Sequence, residues 1–176
     1  MSAIVIYKSQ TGFTKKYAEW ISQESGCECV DFNKARKLDL IAYDAVVFGS
    51  WCLAGGITKL NWFKKQIPAL AAAGKKIIVY TVGATPAESP DIPEAMQRNF
   101  SDDEWDKVKV FYCPGGLDYD KMNFLSRFAM KMLAKSLSAK RDASEKELKQ
   151  AEMISHSYDL TDKKYIEPIL AELKGN

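Results

Sequence analysis

The strongest constraint in this sequence is an apolar run that breaks at a hydroxyl-and-glycine loop and resumes as an amphipathic helix. Residues 3–7 read AIVIY, a short β-branched run, and apolar residues recur at helical spacing over residues 17–21. An anion at the start of such a helix meets free backbone N–H groups and the positive end of the helix dipole. The order therefore predicts a strand, a phosphate loop and a helix, the loop comprising Ser9, Gln10, Thr11, Gly12, Phe13 and Thr14.

Two common nucleotide-binding patterns are missing from this loop. No Gly-Lys-Ser/Thr sequence follows the strand, and no Gly-x-Gly-x-x-Gly does either. The loop therefore favours neither an NTPase nor a dinucleotide-binding protein. A plain β-to-α turn, with Thr11 or Thr14 as the helix N-cap, remains an alternative.

Further apolar runs alternate with helical patterns along the chain. A strand buried on both faces reads as a continuous apolar run, which makes 45–49 the expected central strand. Strands alternating with helices predict an α/β fold with a parallel sheet and right-handed crossovers. The predicted strands after the first are 27–32, 45–49, 75–83 and 108–112.

Helix boundaries are also readable. The first helix is expected to end at Ser25, before Gly26, and Thr58 is expected to cap a helix that ends near Pro68. A short helix is predicted at 94–100 and a final one at 162–173. The connection 33–43 is polar, and the residues expected to point inward from it are Leu38, Leu40 and Ile41.

Two more loops should lie beside the phosphate loop, because the carboxyl ends of parallel strands share one edge of the sheet. Their glycines and backbone groups suit a flat heterocycle. Trp51 is the candidate aromatic wall for that ring, with a core position as the alternative, and Cys52 is expected to be an ordinary thiol. The predicted ring-side residues are Ser50, Trp51, Cys52, Leu53, Ala54 and Gly55, with Thr81, Val82, Gly83 and Ala84.

The sequence Ser-x-Thr-Gly-x-Thr after an amino-terminal strand resembles the phosphate loop of the flavodoxin family. The resemblance implies an α/β three-layer sandwich with a five-stranded parallel sheet of order 2-1-3-4-5 and helices on both faces. It also implies FMN as cofactor, with the three loops as its site, and electron transfer through the flavin as function. A peptide flip beside the flavin at Gly49 or Gly55 is a further implication.

A narrower resemblance follows the fifth strand. Residues 112–119 read YCPGGLDY and residues 126–131 read SRFAMK, which is similar to the branch that includes the menaquinone-linked protoporphyrinogen dehydrogenases. The leading hypothesis is an FMN-binding electron carrier. The alternatives are a flavin-dependent oxidoreductase of the protoporphyrinogen dehydrogenase or quinone reductase type, and a cofactor-free binding module. Catalytic side chains are not predicted, because the single histidine, His156, is remote from the loops.

Charge is concentrated in one segment. The chain carries 25 basic and 23 acidic residues, a net charge of 25 − 23 = +2. Residues 121–141 hold six of the basic residues and no acid, so the remainder carries 19 − 23 = −4. We expect one domain, 1–176, with a basic helical insertion at about 118–150. The insertion suits an anionic membrane surface, an acidic partner or porphyrin carboxylates, or else a packed helix with solvated lysines.

The remaining expectations concern location and partners. The sequence shows no secretory signal pattern and no apolar stretch long enough to span a bilayer, which predicts a cytoplasmic protein, with peripheral contact at the inner face of the membrane through 121–141 as an option. Four cysteines do not form a disulfide scaffold, and Cys27-x-Cys29 lacks the further ligands of a zinc site. One basic helix does not predict nucleic-acid binding. The expected partner is a redox protein or a small-molecule or quinone acceptor.

Overall fold

A computed structural model describes residues 2–140, 142 and 144–175. The described chain forms two compact units, one made by Gly116–Leu160 and the other by the residues before and after that segment. Arg141, one of the six predicted basic residues, and Ala143 lie outside the described residues. The assignment of one domain with an insertion at about 118–150 stays a prediction.

The larger unit is built on a mixed sheet of six strands. The strands are β1 (Ala3–Tyr7), β2 (Glu28–Asp31), β3 (Ala45–Leu53), β4 (Gly56–Ile57), β5 (Lys76–Gly83) and β6 (Lys109–Pro114). Five of them run parallel in the order β2-β1-β3-β5-β6, which confirms the predicted order 2-1-3-4-5, and the short β4 pairs antiparallel with β3.

Helices cover both faces of this sheet, which confirms the predicted three-layer architecture. The central strands carry apolar side chains to both faces, as Val46, Val47 and Phe48 are all fully buried. The helices of this unit are α1 (Phe13–Ser25), α2 (Phe32–Ala35), α3 (Leu60–Lys64), α4 (Ile67–Ala72), α5 (Ile92–Gln97), α6 (Asp102–Trp105) and α9 (Glu167–Lys174), with 3-10 turns at Leu40–Ala42 and Lys163–Ile166.

The first helix ends where its sequence predicts. Gly26 follows it in the left-handed conformation, with φ 71°, and its N–H donates to the Ser22 carbonyl at 2.8 Å. Glycine takes this conformation without the strain that a Cβ would bring.

Other local predictions are wrong. Thr58 does not cap a helix, because its N–H donates to the Trp51 carbonyl at 3.0 Å and the N-cap position falls on Lys59. Pro68 lies in the first turn of α4 rather than at a helix end, where its missing N–H is tolerated. Of the three residues expected to point inward from 33–43, only Leu40 is buried, while Leu38 and Ile41 are 39% and 45% exposed.

The described residues of the smaller unit form two helices and a two-stranded ribbon. The helices are α7 (Phe124–Ser138) and α8 (Glu145–Ile154), and β7 (Gly116–Leu117) pairs antiparallel with β8 (Tyr158–Asp159). Helix α8 starts with a capping box of Ser144 and Glu147. Within the described ranges, no helix is long and apolar enough to cross a bilayer.

Candidate functional site

The three predicted site segments meet at one edge of the sheet. The first segment follows β1, and the other two include the last residues of β3 and β5. These are neighbouring parallel strands, so their carboxyl ends lie side by side. The Lys8 N–H donates to the Gly49 carbonyl at 2.8 Å, and the Gly115 N–H donates to the Gly83 carbonyl at 2.7 Å. These bonds continue the strand pairing into the first residues of the loops.

The first segment leaves the start of α1 open. Gly12 occupies the N-cap position with φ 105°, and no side chain caps the helix. The alternative with Thr11 or Thr14 as N-cap is therefore wrong. Among the described residues, the amides of 13–15 have no hydrogen-bond acceptor, as expected for an uncapped first turn. A Cβ built at Gly12 would meet no atom within 4 Å, so the approach to these amides is clear.

One internal bond shapes this loop. The Gly12 N–H donates to the Ser9 Oγ at 3.1 Å. Since the Ser9 hydroxyl accepts there, its own proton remains available to a further acceptor. Ser9 and Thr11 are partly exposed, and Thr14 is buried. Gln10 already has an interaction partner within the protein. The segment therefore offers backbone amides and hydroxyl donors, the groups that suit a phosphate.

Buried tyrosines fix the position of α1. The fully buried Tyr80 donates its hydroxyl to the Thr14 carbonyl at 3.0 Å, and burial raises its pKa, so the phenol stays protonated. Its ring lies where a Cβ on Gly49 would stand. Tyr17 donates to the Pro114 carbonyl at 2.7 Å. Gly49 therefore lies inside β3 under the Tyr80 ring, in agreement with the predicted strand 45–49. The peptide flip at Gly49 or Gly55 stays a prediction.

The second segment is a strand and a tight hairpin, not a loop. Ser50, Trp51, Cys52 and Leu53 continue β3, because Cys52 and Leu53 pair with Ile57 and Gly56 of β4. The two turn residues, Ala54 and Gly55, have φ values of 49° and 83°. Positive φ at both positions is the requirement of a type I′ turn.

Asn99, which no sequence pattern marks as a site residue, lies just after α5 and holds this hairpin. Its side-chain oxygen accepts from the Ile57 N–H at 2.9 Å, and its amide nitrogen donates to the Gly55 carbonyl at 2.9 Å. The same nitrogen also donates to the Ala95 carbonyl at 2.7 Å. A depression of about 260 Å³ lies beside the turn, lined by Ala54, Gly55, Ala95 and Arg98.

Two predicted ring-side residues carry buried hydroxyls without a partner. Ser50 and Thr81 are adjacent across β3 and β5, and both are fully buried. Neither Ser50 Oγ nor Thr81 Oγ1 makes a hydrogen bond. Buried polar atoms normally have partners, so this pair leaves unused hydrogen-bonding capacity just below the sheet edge.

The exposed part of the second segment is its outer end. Trp51 and Cys52 are partly exposed, Leu53 is 62% exposed, and the turn is exposed. Burial raises the pKa of the Cys52 thiol, which a hydrogen bond with the Gly55 backbone only partly offsets. The thiol is therefore neutral at pH 7 and is a poor nucleophile.

The third segment also begins inside a strand. Thr81, Val82 and Gly83 belong to β5, and Ala84 is the first residue after it. Val82 is buried, whereas Gly83 and Ala84 are partly exposed. A Cβ on Gly115, at the end of β6, would touch Val82 and come within 3.4 Å of the Phe13 Cβ. The first and third segments therefore approach each other at this edge.

Tyr112 is a second residue that the sequence did not select. Its hydroxyl donates to the Thr85 carbonyl at 2.6 Å and accepts from the Thr85 N–H at 3.1 Å. Its ring occupies the space that a Cβ on Gly83 would need. An aromatic residue near the end of a strand is the signal that could have indicated this contact.

The other cysteines are equally unreactive. Burial raises the pKa of Cys29 to about 11 and raises the pKa values of Cys27 and Cys113. All four thiols are free. Within the part of the chain that the structure describes, no group of three or more histidine, cysteine or acidic side chains is arranged to hold a metal ion.

Comparison with known proteins identifies the family. A family model described as flavodoxin domain matches residues 4–144. Similar solved structures include a flavodoxin from the domain Archaea, with 17% identity, 99% coverage of both chains and a TM-score of 0.43. They also include a flavoprotein from Lactobacillus acidophilus in complex with FMN, with 16% identity, coverage of 64% of this chain and 91% of that one, and a TM-score of 0.45.

A third similar structure is the two-electron reduced flavodoxin of Megasphaera elsdenii, with 20% identity, coverage of 62% of this chain and 82% of that one, and a TM-score of 0.44. No curated protein matches the sequence. The family match spans well over half of the 176 residues and includes all three site segments. The chain belongs to the flavodoxin domain family.

Proposed function

We propose that this protein binds FMN at the carboxyl edge of its sheet and carries electrons through it. The observation that carries the proposal is the uncapped start of α1, where Gly12 leaves the amides of 13–15 open beside two neighbouring strand ends. When bound, FMN supplies redox chemistry that no side chain of the site can perform.

The phosphate would be held by the first segment. The amides at the start of α1 would donate to the phosphate, and the positive end of the helix dipole would favour the dianion. The hydroxyls of Ser9 and Thr11 would add donors. The Tyr80–Thr14 bond keeps these groups in place, because it fixes the first turn of α1 against the sheet.

The isoalloxazine ring would lie along the second and third segments. Trp51 is the candidate stacking partner, and the exposed turn Ala54-Gly55 and the backbone of Gly83 and Ala84 would border the ring edge. The unpartnered hydroxyls of Ser50 and Thr81 suit a polar group or a water molecule below it. These residues would exclude bulk water from one side of the ring, which is how a protein changes flavin reduction potential.

The test is FMN titration of the purified chain, followed by flavin absorbance and fluorescence quenching. Gly12→Ala should weaken FMN binding by about tenfold or more, because alanine is strained at φ 105° and the loop must deform. Gly26→Ala is the matched control, since Gly26 terminates the same helix with φ 71° and equally open surroundings. It should leave FMN affinity unchanged at a similar loss of stability.

Two results would contradict the proposal. One is failure to bind FMN at micromolar concentration, which would favour a cofactor-free binding module. The other is equal weakening of FMN binding by both glycine substitutions, which would assign the Gly12→Ala effect to lost stability rather than to the phosphate loop.

A second candidate is a flavin-dependent oxidoreductase of the protoporphyrinogen dehydrogenase or quinone reductase type. The observation that favours it is the segment after Gly115, whose sequence resembles that branch and whose helix α7 exposes phenyl groups beside lysines. Protoporphyrinogen is largely apolar and carries two carboxylates, and its oxidation to planar protoporphyrin releases six electrons and six protons that three quinones would accept. The test is an anaerobic assay of protoporphyrinogen oxidation with a menaquinone analogue as acceptor. If the flavin is reduced but no substrate turns over, the electron-carrier function is favoured.

A further inference from the structure

Helix α7 exposes large apolar side chains to solvent. Phe124 is 84% exposed, Leu125 75% and Phe128 56%. Met132 and Leu133 follow at 50% and 44%. Since residues four apart lie on one side of a helix, Phe124, Phe128 and Met132 form a single row. We call this row with Leu125 and Leu133 the α7 apolar stripe.

The stripe is not the side by which α7 packs on its own unit. Ala134 is buried on the opposite side, and Met130 is partly buried there. The partner helix α8 buries Ala151 and Ile154, at 4% and 3% exposed. The two helices therefore bury apolar side chains elsewhere, and the exposed stripe is an additional surface.

Two lysines without an ion-pair partner lie next to the stripe, and the ammonium of one of them, Lys131, is 5.9 Å from the Tyr119 ring centroid. Lys131 and Lys135 are exposed and have no ion-pair partner among the described residues. By helical spacing both lie on the Phe124 and Phe128 side of α7. Lys121 and Lys140, in contrast, are paired with Asp118 at 2.8 Å and Glu147 at 2.6 Å.

The segment that contains the stripe carries no acidic residue. Residues 121–141 contain six basic residues and no aspartate or glutamate, whereas the rest of the chain carries a net charge of −4. A basic helix with exposed phenylalanine and leucine is the composition of helices that lie in the headgroup region of a bilayer. Its charge complements anionic lipid headgroups.

We propose that α7 is a peripheral membrane-binding surface selective for anionic phospholipids. The helix lies parallel to the bilayer plane, with the α7 apolar stripe in the headgroup and acyl boundary and with Lys131 and Lys135 at the level of the phosphates. Fifteen residues make a helix about 22 Å long, so the row of Phe124, Phe128 and Met132 runs along one side of it and can enter the bilayer together. A bilayer accepts a convex row of separate side chains, whereas a protein partner would need a matching groove.

The experiment is flotation of the full chain with vesicles of phosphatidylcholine alone and of phosphatidylcholine with phosphatidylglycerol. Binding to the anionic vesicles should be at least about tenfold tighter and should weaken as salt is raised. FMN is not required, so the result is independent of the flavin proposal.

Two double variants separate the apolar contribution to vesicle binding from the electrostatic one. Phe124→Ser with Phe128→Ser should abolish flotation, because the apolar anchors are gone, and both sites are exposed enough to leave the fold intact. Lys131→Glu with Lys135→Glu should remove the preference for anionic vesicles. The matched control is Lys34→Glu with Lys37→Glu, the same charge change at two exposed residues of the larger unit, which should retain at least half of the flotation.

Three results would overturn the proposal. The first is no flotation with anionic vesicles. The second is equal loss of flotation in the control and the α7 variants. The third is concentration-dependent self-association, lost in the phenylalanine double variant and unaccompanied by vesicle binding, which would make a second copy of the chain the occupant of the stripe.

Discussion

Helices α1 and α7 are similar in length, at 13 and 15 residues, but they have opposite relations to their surroundings. Helix α1 fully buries Tyr17, Ala18 and Ile21 and leaves its amino-terminal amides uncapped. Helix α7 is capped by Asn123, whose Oδ1 accepts from the Ser126 N–H at 2.8 Å, and buries only Ala134. In α1 the groups available to a ligand are backbone amides at one end of the helix. In α7 they are apolar side chains along one face.

The largest expected difference is in the response to side-chain truncation. Ile21→Ala should lower the free energy of unfolding by about 3 kcal/mol, because it leaves a cavity at a fully buried position. Met132→Ala should change it by less than about 0.5 kcal/mol. Urea denaturation followed by circular dichroism measures both free energies of unfolding. Equal losses in the two variants would contradict the view that Ile21 lies in a packed helix face and Met132 in a solvent-exposed one.

The second largest effect on stability is expected at the Tyr80–Thr14 hydrogen bond, which anchors the uncapped end of α1. Gly49→Ala should cost about 2 kcal/mol of stability, because the new Cβ displaces the Tyr80 ring and its bond to Thr14. Gly56→Ala is the control, since its Cβ would meet only the Leu53 carbonyl at 3.6 Å. The same denaturation assay applies, and a Gly49→Ala protein as stable as the control would show that Tyr80 repacks freely.

A smaller effect is expected from the cap of α7. Asn123→Ala should destabilise the first turn by about 1 kcal/mol, because the Ser126 amide loses its acceptor. Amide hydrogen exchange at residues 124–127 measures it. Unchanged protection would mean that α7, like α1, does not depend on a side-chain cap.

The smallest effect is a pH dependence at α8. The Lys140 hydrogen bond and the Ser144 capping interactions lower the Glu147 pKa from 4.5 to about 2. A lowered pKa stabilises the fold above the unfolded value, so this contribution is complete above pH 4.5 and is lost as the pH falls toward 2. Glu147→Gln should remove that step from an acid titration followed by amide exchange of α8, and an unchanged profile would contradict the assignment.

Much of the sheet was predictable because burial on both faces leaves a simple pattern. Residues 45–48 form an unbroken apolar run, and Ala45, Val46, Val47 and Phe48 are all fully buried. The first helix was equally clear, since its apolar spacing and Gly26 mark its face and its end. These features depend on local sequence.

The hairpin after β3 was not predictable in the same way. The hairpin is defined by the pairing of Cys52 with Ile57 and by the hydrogen bond from the Ile57 N–H to Asn99. Asn99 is 42 residues from Ile57, so no local sequence pattern reports this contact. The glycine in its turn indicated a bend but not a strand extension. Tyr112, which bonds to Thr85 27 residues away, was missed for the same reason.

The Asn99 clamp has a consequence for how this region can vary. A two-residue turn sets the Gly55 carbonyl and the Ile57 amide at the separation that one asparagine side chain can bridge. An inserted residue would shift one of these groups and break that bridge. Unlike most surface turns, which accept changes in length, this one should tolerate replacement of its residues far better than any insertion or deletion.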